Sequence, residues 1–390
     1  MDAFGLTMAQ LDAAGAAWTA REILQQPQVW AQIEHLLAGD SARLAGFLDP
    51  LLERSELRIV LTGAGTSAHI GKCLAPALTS SLRRRVDAIA STDLVASPES
   101  YLSAGTPTLL VSFSRSGNSP ESIAALERAD ACVRDCWHLI VTCDPEGALY
   151  RRASQAPRCC AILLPEVSND RGFAMTSSFT GMVFAAAIAL RAVPGAGTRS
   201  VGLARLAQQL LPDRLPLLQE LVSRAASRVV YLGSKEFKGL AREAALKMLE
   251  LTDGRVVAIA DSPLGFRHGP KTILNADTLV LAFVSNDDYT RQYDWDLINE
   301  LRHDAVAGRV VALAARAAPR AHPDNVILHT PQPSIDPSDL ELCLCYAVFA
   351  QSLALLRSIS LGIRSDTPNA AGTVSRVVTG VTIHPWRGGA

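Results

Sequence analysis

A chain of 390 residues exceeds the usual size of one domain, so the sequence predicts two domains or one large α/β unit. Hydrophobic residues make up 48% of the chain and charged residues 19%, which supplies a sizeable core and excludes a disordered protein. The formal net charge of -1 leaves no basic field for nucleic acid or acidic lipid, so an anionic ligand must be held by local groups.

Membrane segments and metal sites are not expected either. The first seven residues lack a signal-peptide pattern, and the Ala-rich run at 181–193 is too short to span a bilayer, so we expect a cytoplasmic protein. The eight cysteines lie in apolar stretches without the paired spacing of zinc ligands. We therefore expect no metal and no cofactor.

The first 50 residues predict helices. Thr19 and Glu22 have the spacing of a capping box, and apolar residues follow them at roughly helical intervals. We predict a helical arm over residues 1–50 that packs on the core or on a partner subunit.

From residue 57 onward, apolar runs alternate with helix-length segments, and the first run is followed by a glycine turn and a helix to about residue 80. Short apolar strands with helices between them indicate a doubly wound parallel sheet. The predicted strands are 57–61, 86–90, 108–113, 138–142 and 160–164.

The alternation of strands and helices is interrupted at 194–198 and by a helical stretch to about residue 226, and a second series of strands and helices then begins. Its opening strand and turn, 229–235, resemble 59–67, which indicates an internal duplication at a spacing of about 170 residues. We predict two doubly wound, flavodoxin-like α/β domains, 51–205 and 206–390. The strands of the second are predicted at 228–232, 255–260, 278–284, 309–314 and 325–329.

Two turns carry the pattern of an anion site. One is the glycine turn at 63–67, and the other is a serine cluster around Gly117, between a strand and a helix. Backbone N–H groups and hydroxyls at a helix N-terminus bind anions, and neighbouring parallel strands bring such turns together. Taken singly, the first could be a plain tight turn, and Ser119 could be only a helix cap.

The two turns resemble the phosphate loops of the sugar isomerase (SIS) family, which includes the isomerase half of glucosamine-6-phosphate synthase. This resemblance implies two SIS domains and a sugar-phosphate substrate. It also implies that the substrate phosphate is bound by Thr66, Ser67, Ser114, Arg115, Ser116 and Ser119.

The second half of the chain resembles the same family, so the resemblance covers about residues 50–385. Segment 239–250 is similar to its catalytic helix, and Arg267-His268-Gly-Pro270 is similar to its His-Gly-Pro turn. The stretches 231–234, 261–271 and 289–294 look like the AgaS-type branch. That branch is associated with deamination of galactosamine 6-phosphate and isomerisation to tagatose 6-phosphate.

Glu243, Lys247 and Glu250 have the spacing of one helical face. A solvated salt-bridge face has the same spacing, so the pattern alone leaves both interpretations open. An aldose-to-ketose conversion needs a base that removes the proton from carbon 2. We predict Glu250 as that base, with Glu243 and Lys247 orienting it or the open-chain substrate.

The resemblance assigns three further roles. His268 would open the pyranose ring, and in the family this histidine enters from the neighbouring subunit, which implies a homodimer or higher homo-oligomer with shared active sites. Asn169 and Ser177, after the fifth strand, would contact sugar hydroxyls, although ordinary loops also contain such residues. Arg376 lies in the tail, where the synthase supplies a lysine, and could partly replace its charge.

These features predict an enzyme that converts galactosamine 6-phosphate to tagatose 6-phosphate and ammonia. The synthase has a nucleophilic cysteine where this chain has Asp2, so we expect release of ammonia and not its transfer from glutamine. Alternatives are a ketose/aldose isomerase or a deglycase acting on another sugar phosphate, or a non-catalytic sugar-phosphate sensor. A sensor could dispense with Glu250 and His268, and this chain keeps both.

Overall fold

The computed structural model describes residues 4–193, 199–328, 336–378 and 380–386. The predicted interruption at 194–198 and residue 329, the predicted end of the last strand, lie outside the described residues. The strands are β1 Arg58–Thr62, β2 Val86–Ala88, β3 Thr108–Ser114, β4 Cys136–Thr142, β5 Cys159–Leu163, β6 Arg228–Gly233, β7 Val257–Asp261, β8 Thr278–Phe283, β9 Arg309–Ala314 and β10 Asn325–Ile327.

Helices precede, separate and follow these strands. They are α1 Met8–Ala13, α2 Ala17–Leu24, α3 Gln26–Gly39, α4 Ser41–Leu52, α5 Thr66–Leu82, α6 Ser91–Ala96, α7 Pro120–Cys132, α8 Ala148–Ala153, α9 Ser177–Ala189, α10 Arg199–Ser223, α11 Glu236–Leu251, α12 Pro263–Phe266, α13 Thr290–Asp304 and α14 Asp339–Ser360.

The ten strands lie where the alternation of apolar runs predicts them. Their ends differ from the predicted ends by two residues or fewer, except at the last strand, whose predicted end at residue 329 cannot be compared.

The chain forms two compact units, each built around one sheet. The first-sheet unit comprises Val29–Asn169, Ser177–Gly197 and Gly372–Ala390, and the second-sheet unit comprises Met1–Gln28, Asp170–Thr176 and Thr198–Ala371. These units interleave along the sequence. The contiguous domains 51–205 and 206–390, preceded by an arm, therefore remain a prediction about where the duplicated segments begin and end.

Both sheets have five parallel strands in the same order. The first runs β2-β1-β3-β4-β5 and the second runs β7-β6-β8-β9-β10. This is the flavodoxin-like 2-1-3-4-5 order, in which the direction of winding reverses between the first and third strands. The predicted fold class, two doubly wound α/β domains, is confirmed.

Each sheet is covered on both faces, as parallel sheets require. In the second sheet, alternate residues such as Val230 and Val280 pack against α13 in one apolar cluster. On the opposite face, Phe283 stacks on Tyr346 of α14 at 5.8 Å between ring centroids. The strands read as continuous apolar runs because side chains on both faces are buried.

Helix α14 is long and apolar enough to cross a membrane by length and composition. However, 89% of its apolar 18-residue window is buried inside the protein. This burial is typical of the core helix of a soluble protein, so the helix is weak support for a membrane span.

The predicted N-terminal helices are present as α1–α4, but the capping box at Thr19 and Glu22 is wrong. Helix α2 begins at Ala17, and Thr19 lies inside its first turn. The Thr19 backbone N–H and hydroxyl donate to Asp366 Oδ1 at 2.8 and 2.7 Å, while Glu22 accepts from the backbone N–H groups of Arg171 and Gly172. Tertiary partners thus take the groups that a capping box would pair locally.

The two opening turns share an unusual backbone conformation, which supports the predicted duplication. Gly65 has φ +55° and ψ −125°, and Lys235, 170 positions later, has φ +50° and ψ −122°. Each turn also begins with a glycine at which an added Cβ would collide with the following helix. At Gly63 the Cβ would lie 2.6 Å from Ser67 Cβ, and at Gly233 it would lie 2.5 Å from Phe237 O. Glycine suits this conformation, whereas lysine is strained in it.

Candidate active site

The glycine turn of the first-sheet unit places Thr66 and Ser67 at the first two positions of α5, directly after β1. Both side chains are buried, with 5% of their surface exposed. Their backbone N–H groups belong to the first turn of the helix, where the helix dipole favours an anion. The turn therefore has the position that one half of a phosphate site requires, and its binding of phosphate stays a prediction.

The serine turn follows the neighbouring strand, β3, and hydrogen bonds from within the loop fix its shape. Gly117 N–H donates to Ser114 Oγ at 3.1 Å, and Asn118 N–H donates to Ser116 Oγ at 3.3 Å. Ser119 caps α7, because its Oγ accepts from Ser122 N–H at 3.3 Å. Capping is therefore one role of Ser119, and its proposed contact with phosphate would be a second.

Arg115 connects this turn to the tail of the chain. Its side chain is buried within the first-sheet unit, and Nη2 donates to the backbone carbonyl of Arg376 at 2.9 Å. The guanidinium of Arg376 is itself exposed. The contact described here between Arg376 and the serine turn is made by its backbone carbonyl oxygen.

Three further hydroxyls lie beside the two turns: Ser112 belongs to the predicted serine cluster, whereas Thr62 and Ser91 were not predicted as site residues. Thr62 and Ser112 are partners in the β1–β3 register, and Ser91 begins α6 and donates its backbone N–H to Gly63 O. Their side-chain oxygens are buried and have no hydrogen-bond partner among the described residues. A hydroxyl residue directly after an apolar run, at the last position of its strand, is the signal that could have identified Thr62. Ser91 begins a helix and left no such signal.

In the second-sheet unit, α11 brings Glu243, Lys247 and Glu250 into direct contact. Lys247 Nζ lies 3.4 Å from Glu243 Oε1 and donates a hydrogen bond to Glu250 Oε2. The side chains of Glu243 and Lys247 are almost fully buried, whereas that of Glu250 is 26% exposed. The solvated salt-bridge interpretation is therefore wrong for the first two residues, and only the third is open to a substrate.

Burial and charge act in opposite directions on Lys247. Loss of solvation lowers the pKa of the ammonium, but the carboxylates of Glu243 and Glu250 outweigh that effect and raise the pKa above its usual value. Lys247 therefore stays protonated at neutral pH, and its ammonium holds the side chains of Glu243 and Glu250 beside it. Such an array can hold a carboxylate in position beside a substrate proton.

His268 lies where the sequence predicts, on a turn between α12 and a short 3₁₀ helix. Its ring is exposed and makes no hydrogen bond to another described residue. Gly269 has φ +117°, which a residue with a side chain rarely adopts, so the chain turns sharply just after the histidine. The ring is free to approach a ligand or another subunit.

The two residues predicted to contact the sugar lie on either side of a loop that hydrogen bonds hold in place. Asn169 is half-buried at the end of a short 3₁₀ turn, and Ser177 is fully buried at the start of α9. The loop between them, 170–176, is held in the second-sheet unit by Glu22 and by Asp170, which accepts from Thr176 N–H at 2.8 Å. The roles of Asn169 and Ser177 in sugar binding remain predictions.

Known proteins share this fold and sequence. Residues 51–192 match the model of the SIS domain. A protein of Escherichia coli named D-galactosamine-6-phosphate deaminase AgaS is 45% identical over 383 residues, covering 96% of this chain and 97% of that protein. The chain belongs to the SIS-domain family of sugar-phosphate proteins.

Two further relatives place it more closely. A protein of Shewanella sp. (strain ANA-3), also named D-galactosamine-6-phosphate deaminase AgaS, is 41% identical over 384 residues, covering 98% of this chain and 95% of that protein. The crystal structure of tagatose-6-phosphate ketose/aldose isomerase from Escherichia coli is 43% identical, with a TM-score of 0.88 over 95% of this chain and 97% of that chain. Within the SIS-domain family, the chain therefore belongs with the AgaS-type proteins, as its motifs predicted.

Proposed function

We propose that this chain converts galactosamine 6-phosphate and water to tagatose 6-phosphate and ammonia. The observation that carries the proposal is the α11 array, in which buried Glu243 and Lys247 hold a partly exposed Glu250. The names of the AgaS relatives, which share 41–45% identity over almost the whole chain, support the choice of substrate.

The reaction begins with ring opening, for which His268 would move the hemiacetal proton. Glu250 then removes the proton from carbon 2 of the open-chain aldehyde, which gives an enolamine between carbons 1 and 2. Proton return at carbon 1 leaves an iminium at carbon 2. Water adds to that carbon, ammonia leaves, and the ketose phosphate remains. General-base assistance of this kind contributes roughly 10² to 10⁴ in rate.

The remaining groups bind the substrate. Hydroxyls and N–H groups of the two turns, with Arg115, would hold the phosphate, while Asn169, Ser177 and the tail near Arg376 would contact the sugar. We further propose a cytoplasmic homo-oligomer in which His268 completes the site of a neighbouring subunit. The exposure of its ring is consistent with that role.

Plain ketose/aldose isomerisation is the second candidate, because it uses the same ring opening and the same proton abstraction. The similar protein of known structure from Escherichia coli is named tagatose-6-phosphate ketose/aldose isomerase, which favours this activity. The two activities differ in whether nitrogen leaves from carbon 2. They can therefore be separated by assaying ammonia and ketose in the same reaction.

The test is ammonia release from galactosamine 6-phosphate, glucosamine 6-phosphate and their N-acetylated forms, by wild type and by Glu250→Gln. We expect ammonia from galactosamine 6-phosphate and none from the acetylated forms, and a loss of roughly 10² to 10⁴ in kcat in the variant. Glu127→Gln, on the exposed surface of α7, serves as the matched control and should keep full activity.

Each part of the proposal has its own contrary result. Absence of ammonia from every amino sugar phosphate would refute the deaminase function. Wild-type kcat in Glu250→Gln would refute the assignment of the base while leaving the activity intact.

A further inference from the structure

The loop 170–176 lies against helix α2, and both belong to the second-sheet unit. The backbone N–H groups of Arg171 and Gly172 donate to Oε1 of Glu22, the second of them at 3.1 Å. Gly172 N–H also lies 3.2 Å from Glu22 Oε2. One buried carboxyl on α2 therefore accepts both N–H groups at the start of this loop.

The loop approaches α2 so closely that residue 172 has no room for a side chain. A Cβ at Gly172 would lie 2.9 Å from Glu22 Oε2 and 3.0 Å from Thr19 Oγ1. Beside it, the guanidinium of Arg171 lies over the ring of Trp18, 4.7 Å from the ring centroid, which is a favourable cation–π geometry. Hydrogen bonds, close packing and an aromatic contact thus fix the loop on the helix.

The two ends of the loop are also held together. Asp170 and Thr176 are fully buried, and the carboxylate of Asp170 accepts from the backbone N–H of Thr176 at 2.8 Å and from its hydroxyl at 3.1 Å. Their chain neighbours are Asn169 and Ser177, the two residues proposed to contact the sugar. The place of the loop on α2 therefore sets the place of both.

The same part of α2 holds the segment that leads to the tail. Asp366 accepts from the backbone N–H of Trp18 at 3.1 Å, and its own N–H donates to Gly15 O at 2.8 Å. Thr19 contacts Asp366 through its N–H and hydroxyl, one helical turn before Glu22. The first turns of α2 thus bind two separate segments of the chain.

We propose that Glu22 is a positioning residue for sugar binding: through the 170–176 loop it places Asn169 and Ser177 against the hydroxyls of a hexosamine phosphate. Since these contacts are part of the proposed function, the role of Glu22 rests on that function. Contacts that are equally strong in the ground state and the transition state affect KM and not kcat. Loss of the acceptor on Glu22 therefore weakens binding of the sugar and leaves the chemical step unchanged.

The test compares Glu22→Met, which keeps the length of the side chain and removes its acceptor, with Glu22→Gln, which keeps an acceptor. Glu22→Met should raise KM for galactosamine 6-phosphate roughly five- to tenfold, about the effect of one lost hydrogen bond. Its kcat should change by less than about twofold. Glu22→Gln should have the KM of the wild type, and both variants should bind inorganic phosphate like the wild type in calorimetry.

Gly172→Ala is an independent perturbation, because its methyl group separates the loop from α2 while Glu22 stays in place. It should raise KM as Glu22→Met does. Leu301→Ala is the control for lost stability, since Leu301 is 1% exposed in the apolar cluster on α13. It should lower the urea midpoint and keep the KM of the wild type.

The positioning role is wrong if Glu22→Met and Gly172→Ala both keep the wild-type KM, or if Leu301→Ala raises KM as much as they do. Failure of the proposed function gives a different result. If the wild type releases no ammonia, the dissociation constant of galactosamine 6-phosphate in calorimetry replaces KM. A constant raised in Glu22→Met but not in Glu22→Gln then supports the positioning role without the reaction, whereas equal constants, or no binding at all, refute it.

Discussion

Replacing Glu22 with glutamine should stabilise the protein at neutral pH. Glu22 is 4% exposed, and its carboxylate accepts from Gly172 N–H at 3.1 Å. Burial raises the pKa of this carboxyl to about 8; the nearby charges of Asp170 and Asp366 also raise it, while the backbone N–H groups of Arg171 and Gly172 lower it. Glutamine has the shape and neutrality of the protonated acid, so it keeps an acceptor for the backbone.

The size of the effect follows from the difference between the folded and unfolded states. With a pKa raised from 4.5 to about 8, Glu22 favours the folded state fully below pH 4.5, and this contribution is lost as the pH rises through 8. At pH 7 the carboxyl of Glu22 is ionised in the unfolded chain, about 2.5 units above its pKa of 4.5 there, whereas in the folded chain it is mostly protonated. At about 1.4 kcal/mol per unit, the substitution should gain on the order of 3 kcal/mol.

Urea denaturation at pH 5, 6, 7 and 8 measures this directly. The wild type should lose stability across that range, and Glu22→Gln should lose markedly less. Glu127→Gln, which is exposed on α7, should follow the wild type within about 0.5 kcal/mol. If the Glu22 variant keeps the wild-type slope, burial of Glu22 does not govern this pH dependence and the reasoning is refuted.

Two further substitutions probe the site. Lys247→Met should destabilise the protein by about 3–5 kcal/mol in urea denaturation, because buried Glu243 loses the ammonium that it contacts. Adding Glu243→Gln to this variant should restore most of the lost stability. If Lys247→Met is as stable as the wild type, the buried ion pair does not stabilise the fold. Gly63→Ala should cost about 1–3 kcal/mol and weaken binding of inorganic phosphate in calorimetry, because its Cβ would lie 2.6 Å from Ser67 Cβ. Gly46→Ala, with open space at its Cβ on α4, is the control and should cost nothing.

The strands could be predicted from the sequence because both sheets are buried on both faces. Every residue of the strand Thr108–Ser114 is buried, so apolar residues follow one another in it, as at 109–111, and do not alternate with polar ones. Such a run is a clear pattern in the sequence. The places of the two turns were predictable for a related reason, whereas their binding of phosphate stays a prediction. In a parallel sheet, the loop after a strand and before a helix N-terminus has its place set by the chain order itself.

Features that depend on distant partners could not be predicted. Thr19 looks like a helix cap, but its partner is Asp366, which lies 347 residues later. The burial of Lys247 was equally hidden, because a helix carries the same spacing of charges on a buried face as on a solvated one. The spacing of residues along the chain predicts the faces of a single helix or strand. It does not show which other part of the protein packs against each face, and these contacts depend on that packing.

The shared backbone of the turns at Gly65 and Lys235 has a consequence for stoichiometry. Where the first turn continues with the hydroxyl of Thr66, the second continues with Glu236, a buried carboxyl whose pKa burial raises to about 7. A carboxylate at that position repels a phosphate dianion, and Asp339 adds negative charge 3.7 Å from Lys235 Nζ. The second turn therefore shares the backbone shape of the first but not its hydroxyl, so if the first turn binds phosphate as proposed, each chain should bind one sugar phosphate and not two.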